Sequence, residues 1–361
     1  MNRSGQRPTF VGRLLAIAIG LGGAAVAWGP LPAQANEPIK AVGSTFVSPF
    51  LQTVFERLVT ASVIVPPQQN YRGTERGLGE FCRSAAPDSP SVVAMSRRMR
   101  NTEFERCVQN GVEAIVEIQL GFNTLVLVTR RQDADYDLSL RQLYLAIARD
   151  VPDGDEFLTN TSKRWRDIDE ALPDTPIRLV IPAPGLGSRG FFQDRFLQGA
   201  CRSIPQIRSI FSAESRVRQC VTLRDDGTLV EVGVPYDQAI RLAMTDAPPG
   251  TIAVMPFNMA EAMADIVKIL PLDGVLPSPT TVATRTYPFN RPLFVYVKKA
   301  HVKDFRGNGP VAGLRELITE LTRERTIGPD GYLVVEGVVP LPDDGRADNR
   351  NQALRLAIME R

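Results

Sequence analysis

The sequence predicts an α/β protein of two domains, with ligand-binding loops at the carboxyl ends of its strands. Three observations carry that expectation. From residue 38 onward, short apolar strand-like segments alternate with amphipathic helices, the pattern of an α/β architecture. Three loops of small and hydroxyl residues, Ser44-Thr45-Phe46, Gly73-Thr74 and Gly187-Ser188, each follow a strand and open a helix. In open α/β sheets, ligands bind at such places. A chain of 361 residues can also bury a sizeable core and has the length for two domains.

The composition is 43% hydrophobic and 23% charged, ordinary for a soluble globular protein. Lysine and arginine number 42 against 40 acidic residues, a net charge of +2. No bulk charge draws the chain to nucleic acid or to an anionic membrane, so neither is an expected partner and any anion site is local. Arg3, Arg7 and Arg13 precede an apolar run from Leu14 to Trp28, and Ala33-Gln34-Ala35 follows. That order is a secretory signal peptide over residues 1–35, cleaved before Asn36. The apolar run is short and glycine-rich for a span that needs about 20 residues. The mature chain is therefore expected to be exported.

Export changes how Cys82, Cys107, Cys201 and Cys220 are read. None shows C-x-x-C spacing and His301 is the single histidine, so a zinc site is not expected. Local bridges Cys82–Cys107 and Cys201–Cys220 are the simplest of the three pairings four cysteines allow, with free buried thiols as the alternative. His301 is expected at the surface after a strand. Ser188 lacks the G-x-S-x-G elbow because Leu186 holds the first glycine position. No catalytic group is expected, and the chain is not expected to be an enzyme.

In chain order, Pro38–Val42 reads as a strand and Pro49–Val59 as a helix with Phe50, Val54, Phe55 and Leu58 on one side. Ser62–Val65 reads as a second strand ended by Pro66-Pro67, and Ser91–Met95 as a third. Thr102–Gln109 is helical, Glu113–Leu120 and Leu125–Val128 are strands, and Ser139 caps a helix over Leu140–Arg149. Phe157–Asp174 is polar with Trp165 as an anchor, and the Cys201–Cys220 region reads as basic and irregular. Tyr236–Ala247, Asn258–Asp265 and Val311–Arg325 are helical. Thr251–Met255 and Pro292–Val297 are strands, and Tyr332–Pro340 is extended.

The stretch Ile177–Phe192, IRLVIPAPGLGSRGFF, is a buried strand, a proline-flanked turn and a helix start. A helix start leaves N–H groups unpaired and suits an anion. Ser188 can cap it and Arg189 adds positive charge. Gly185–Gly190 also fits the dinucleotide fingerprint. That motif needs a clean strand–turn–helix and an acidic residue about 20 positions on. Pro182 and Pro184 interrupt the first, and Glu214 falls in a serine-rich segment. A purely structural turn remains the other reading.

Taken together and in order, several segments resemble the periplasmic phosphate-binding proteins of ABC-type phosphate uptake systems. They are GSTF at Gly43–Phe46, YRGTERG at Tyr71–Gly77, Met95–Val112, Leu172–Val180, GSRGFF at Gly187–Phe192, Leu270–Ser278, and YPFNRPLFVYVKK at Tyr287–Lys299, followed by GPDGYL and VPLPD. The resemblance implies a two-domain periplasmic-binding-protein fold with the ligand cleft between the domains. Domain I would comprise 36–121 plus 256–361, and domain II 122–255. It implies inorganic phosphate as ligand, permease subunits of an ABC transporter as partners, no cofactor, and a monomer. Phosphate would be held by Ser44, Thr45, the Phe46 backbone, Thr74, Arg76, Gly187, Ser188 and Arg189. The chain departs from the family at Glu75 and Arg76, where small residues are usual, and at Leu186, where a serine is usual. It also carries Arg97 where many members place an aspartate, and Gly190 where an aspartate follows the helix-start arginine. A divergent paralogue binding another oxyanion, or none, in a sensory, surface or adhesion role is the alternative.

Overall fold

The computed structural model describes residues 37–287, 289–304 and 309–359, together with Gly5. Apart from Gly5, the expected signal peptide lies outside the described residues. Strands β1 (Lys40–Gly43), β2 (Gln68–Tyr71), β3 (Val92–Met95) and β4 (Ile115–Arg130) come first, with helices α1 (Ser48–Thr60), α2 (Thr74–Phe81) and α3 (Asn101–Gln109) between them. Helix α4 (Leu140–Ile147) and the hairpin β5 (Asp150–Asp153) and β6 (Glu156–Thr159) follow. Then come β7 (Arg178–Pro182), β8 (Leu229–Val232), β9 (Thr251–Pro256), β10 (Val267–Ile269) and β11 (Asn290–Lys298).

Among the described residues these strands build a nine-stranded sheet in the order β2-β1-β3-β11-β4-β9-β7-β8, with β10 also on β4. β1 pairs in parallel with β2 and β3, and β7 with β8 and β9. The long strands β4 and β11 run antiparallel to each other and join the two parallel groups. Parallel strands point their carboxyl ends the same way, so each group delivers its loops to one edge.

Side chains alternate across this sheet as the two-residue strand period requires. Ala41, Val92, Ala94, Leu293, Val295 and Val297 enter one core with α1, whose Phe50, Leu51, Val54, Phe55 and Leu58 are buried. Val42, Val93, Met95, Phe294 and Tyr296 enter another on the opposite face. Each valine, leucine, methionine or phenylalanine among these contributes about 1.5–3 kcal/mol on leaving water. β4 changes cores along its length. Val116, Ile118 and Leu120 belong with α1, whereas Phe122 and Leu125–Val128 belong with β7 and β9. The switch falls at Gly121 (φ +141°), where a Cβ would lie 2.5 Å from the Val339 carbonyl oxygen.

Several expectations change. The second strand lies after Pro66-Pro67, not before. Val63 and Val65 are exposed, Ser62 turns the chain at φ +56°, and the polar residues Gln68–Tyr71 pair along the edge through their backbone. The two strands expected on either side of Gly121 are one, because β11 pairs along both halves. The Cys201–Cys220 region contains helices Pro205–Ser209 and Ala213–Val221. The extended tail is a short helix, Tyr332–Val335, followed by a bridge between Phe122 and Val339. A helix over Asp343–Leu354 buries only Arg346 and Ala353, so it left no apolar stripe to read.

His301 is not at the surface but 1% exposed. Its Nε2 lies 3.0 Å from the Ala85 carbonyl, which can only accept, so Nε2 carries the proton. Nδ1 then accepts from the Ser91 hydroxyl at 3.0 Å. Burial lowers its pKa from the ordinary value, which keeps the ring neutral at pH 7.

Cys82 is bonded to Cys107 and Cys201 to Cys220. The second closes a 19-residue separation. Replacing Cys201 and Cys220 together by serine is expected to cost about 3 kcal/mol, through the freedom returned to the unfolded chain. Urea unfolding of the double variant against the oxidised parent checks this. Reductant should lower the parent's stability and leave that bridge's contribution absent from the variant.

Candidate anion-binding cleft

β1 ends at Gly43 (φ +125°), where a Cβ would fall 2.1 Å from the Ala94 carbonyl oxygen. Only glycine lets β1 and β3 approach this closely. The chain leaves through Ser44, whose amide donates to Ala94 O at 2.8 Å and whose Oγ accepts from the Phe46 amide at 3.1 Å. β2 ends at Tyr71, and Gly73 (φ +101°) turns the chain into α2 while its amide donates to Gly43 O at 2.9 Å. Gly77 of α2 packs against Gly43, where a Cβ would sit 2.3 Å from the Gly43 Cα and N. That contact sets Thr74 beside the Ser44 loop. Thr74 is buried, and its Oγ1 lies 3.4 Å from the hydroxyl of Ser96, the residue after β3.

From the other parallel group, β7 ends at Pro182 and turns through Gly185 (φ +90°) into a helical run. That run covers Gly187–Phe191, a π-helical segment Phe192–Leu197, and Gln198–Arg202. Leu186 is its N-cap and Ser188 its second residue, so Ser188 does not cap it. The N-caps of α1 and α2, Val47 and Gly73, likewise supply no side-chain acceptor. The first amides of these helices are thus free of side-chain competition for an incoming anion.

Between the two groups lies a cavity of about 950 Å³. Ser44, Thr45, Phe46, Thr74 and Ser96 line it from one side, and Gly187 and Arg189 from the other. Arginines dominate its charge. Arg97 is already occupied, with Nη2 2.6 Å from Glu103 and 3.1 Å from Glu75. The hydrogen bond to Glu103 raises its pKa, so it stays charged. Glu75, where the family loop carries a small residue, thereby shares a cationic partner with Glu103. Arg189 donates to Glu231 at 2.7 Å and to the Pro182 carbonyl at 2.8 Å, and its buried Nε has no protein partner. Arg291, from β11, lies 4.5 Å above the Phe46 ring and 4.3 Å above Phe191. Burial pulls its pKa down to about 10.

A family model described as a PBP superfamily domain matches residues 29–325. The chain belongs to the PBP superfamily. This is a family of binding proteins, and the fold is its two-domain α/β fold. Among curated relatives, Protein SphX of Synechococcus elongatus is 24% identical over 278 residues, covering 74% of this chain and 71% of that one. The phosphate-binding protein PstS of Staphylococcus epidermidis is 22% identical over 271 residues, covering 73% and 70%. Among solved structures, "a possible phosphate binding protein" from Planctomyces limnophilus superposes with a TM-score of 0.65 at 21% identity, covering 89% of this chain and 99% of its own. An ABC-type phosphate transport receptor from Vibrio cholerae gives 0.57 at 14% identity, covering 85% and 100%. At these identities the structural likeness is one of fold.

Within this PBP frame, the structure gathers Ser44, Thr45, Phe46, Thr74, Gly187 and Arg189 around one cavity. Two residues of the expected set lie apart from its lining. Arg76 points along α2 to Glu80 at 3.4 Å and is mostly exposed. Ser188 is half-buried and does not line the cavity. Ser96, Arg100, Arg195, Arg202 and Arg291 also line the cavity and had been given no binding role from sequence. Arg291 had one legible signal, a charge at the start of the strand just before Pro292. No group of three or more His, Cys, Asp or Glu side chains able to hold a metal occurs among the described residues. Nor does any of their helices have the length and apolarity to cross a membrane.

Proposed function

We propose that the protein is an exported solute-binding protein that captures inorganic phosphate and delivers it, as a monomer, to the permease subunits of an ABC transporter. The observation that carries this reading is the cavity. Buried hydroxyls of Ser44 and Thr74 face the same space as the Phe46 backbone, Gly187 and cationic side chains, in a PBP-fold protein related to a phosphate-binding protein. Backbone and hydroxyl donors around a dehydrated oxyanion give short, charge-assisted hydrogen bonds. In this reading phosphate lies against Ser44, Thr45, Phe46 and Thr74 on one side and Gly187, Ser188 and Arg189 on the other. Arg76 contributes by holding the charge balance of α2.

The same reading divides the chain at Gly121, with 36–121 and 256–361 as domain I, 122–255 as domain II, and the ligand between them. The passage of β4 from one core to another at that glycine supports it. Export through a cleaved signal peptide is supported by the N-terminal pattern and by two disulfides, which persist in oxidising compartments. The cavity hydroxyls face no histidine, since His301 is buried against Ala85 and Ser91. A binding role is the reading the family supports.

Calorimetry on phosphate-stripped protein tests the function. Submicromolar phosphate binding that sulfate does not displace is expected, and absence of heat with any oxyanion overturns the reading. Thr74→Val keeps the shape of the buried side chain and removes its hydroxyl. It is expected to weaken phosphate by about 1.5–3 kcal/mol, the worth of a hydrogen bond to a charged group, while the ligand-free melting temperature stays near that of the parent.

A further inference from the structure

The buried cations of the cleft differ in who neutralises them. Arg97 has two carboxylates within hydrogen-bond distance, and Arg189 has Glu231 and a backbone carbonyl. Arg100, Arg195 and Arg202 are exposed and therefore hydrated. Arg291 is the least well served of them. Its side chain is only 14% exposed, and its nearest carboxylate, Asp194, is 4.0 Å away and 63% exposed. It makes no side-chain hydrogen bond among the described residues. Phe46 and Phe191 flank it, which orients the guanidinium plane but supplies no acceptor.

We propose that Arg291 is the anion anchor of this cleft, a guanidinium held by Phe46 and Phe191 whose neutralising partner is the bound ligand. The proposal rests on the phosphate reading above and identifies which cation carries it. Desolvation makes an unpaired charge costly and makes an arriving oxyanion correspondingly attractive. The planar fork of arginine matches two oxygens of a tetrahedral anion, which an ammonium cannot do. Arg291 stands opposite Asn123 of β4, on the strand pair that joins the two parallel groups. Phe46 comes from the loop before α1 and Phe191 from the run after β7, so the anchor touches both walls of the cleft. Asp194 and Arg195, the charged groups facing it, act in opposite directions on its protonation.

Burial lowers the pKa of Arg291 in the folded protein, so its charge opposes folding at neutral pH and that opposition begins to fall only as pH rises above about 10. An anchor is thus separable from a structural residue. Arg291→Gln is expected to lose at least 100-fold in phosphate affinity by calorimetry while the ligand-free protein melts at or above the parent temperature. Arg291→Lys keeps the charge without the fork and is expected to lose about 10-fold. It decides the question on its own if the glutamine variant does not fold. Phosphate binding by the parent with both variants within threefold of it overturns the anchor and leaves the phosphate reading standing. A parent that binds no oxyanion overturns both. A glutamine variant that melts well below the parent and still binds phosphate assigns Arg291 a structural role and also overturns the anchor.

Discussion

Gly77→Ala is expected to cost about 2 kcal/mol of stability and at least tenfold in phosphate affinity, although alanine is the better helix former. The added methyl would sit 2.3 Å from two backbone atoms of Gly43. No side chain can rotate away to relieve it, so α2 must lift from β1, and overpacking of this kind costs about 1–3 kcal/mol. It also opposes the gain of about 1 kcal/mol from helix propensity. The affinity falls because α2 carries Thr74 with it, away from Ser44. Gly79, two residues on, is an internal control. A Cβ there meets nothing within 4 Å, so Gly79→Ala is expected to raise stability by about 0.5–1 kcal/mol and leave affinity unchanged. Denaturant unfolding and calorimetry on the pair check both. Equal effects at the two positions would show that the Gly43–Gly77 contact does not set the cleft.

Trp165→Ala is expected to cost about 3–5 kcal/mol, in the range for emptying a fully buried aromatic site. Trp165 is 0% exposed, meets Tyr136 edge-on at 5.8 Å between centroids, and donates from Nε1 to the Gly250 carbonyl at 3.0 Å. Removing it leaves both a cavity and an unpaired buried carbonyl. Trp165→Phe refills most of the volume without the donor and is expected to recover roughly half of the loss. Thermal unfolding of the two variants separates packing from the hydrogen bond. A loss under 1 kcal/mol in Trp165→Ala would show that the polar segment 157–174 is not anchored through this side chain.

Local chemistry and local pattern decided much of this protein. Glycines and hydroxyls after β1, β2 and β7 marked the loops that line the cavity, because close backbone approach and helix starts need those residue types nearby in sequence. The helical period of α1 placed Phe50, Val54, Phe55 and Leu58 on one face before any neighbour was known. Cysteine spacing narrowed the pairings, and the anchor role of Trp165 followed from a tryptophan in a polar stretch. The strand over Gln68–Tyr71 and the helix over Asp343–Leu354 escaped, because the backbone pairing that makes the first and the mixed face of the second leave no apolar period.

Tertiary structure decided where the charges go. The helix start around Gly187 and Ser188 pointed to Arg189, but Glu231 of the neighbouring strand β8 takes that guanidinium. Glu75 is answered by Arg97 from the end of β3 rather than by the adjacent Arg76, which turns to Glu80. Arg291, far away in sequence, arrives beside Phe46 and Phe191 because β11 crosses between the two parallel groups. Helix starts, turns and apolar faces depend on a few consecutive residues and can be read from them. The partner of a charge depends on which distant strand lies within about 4 Å of it, and only the fold brings that strand there.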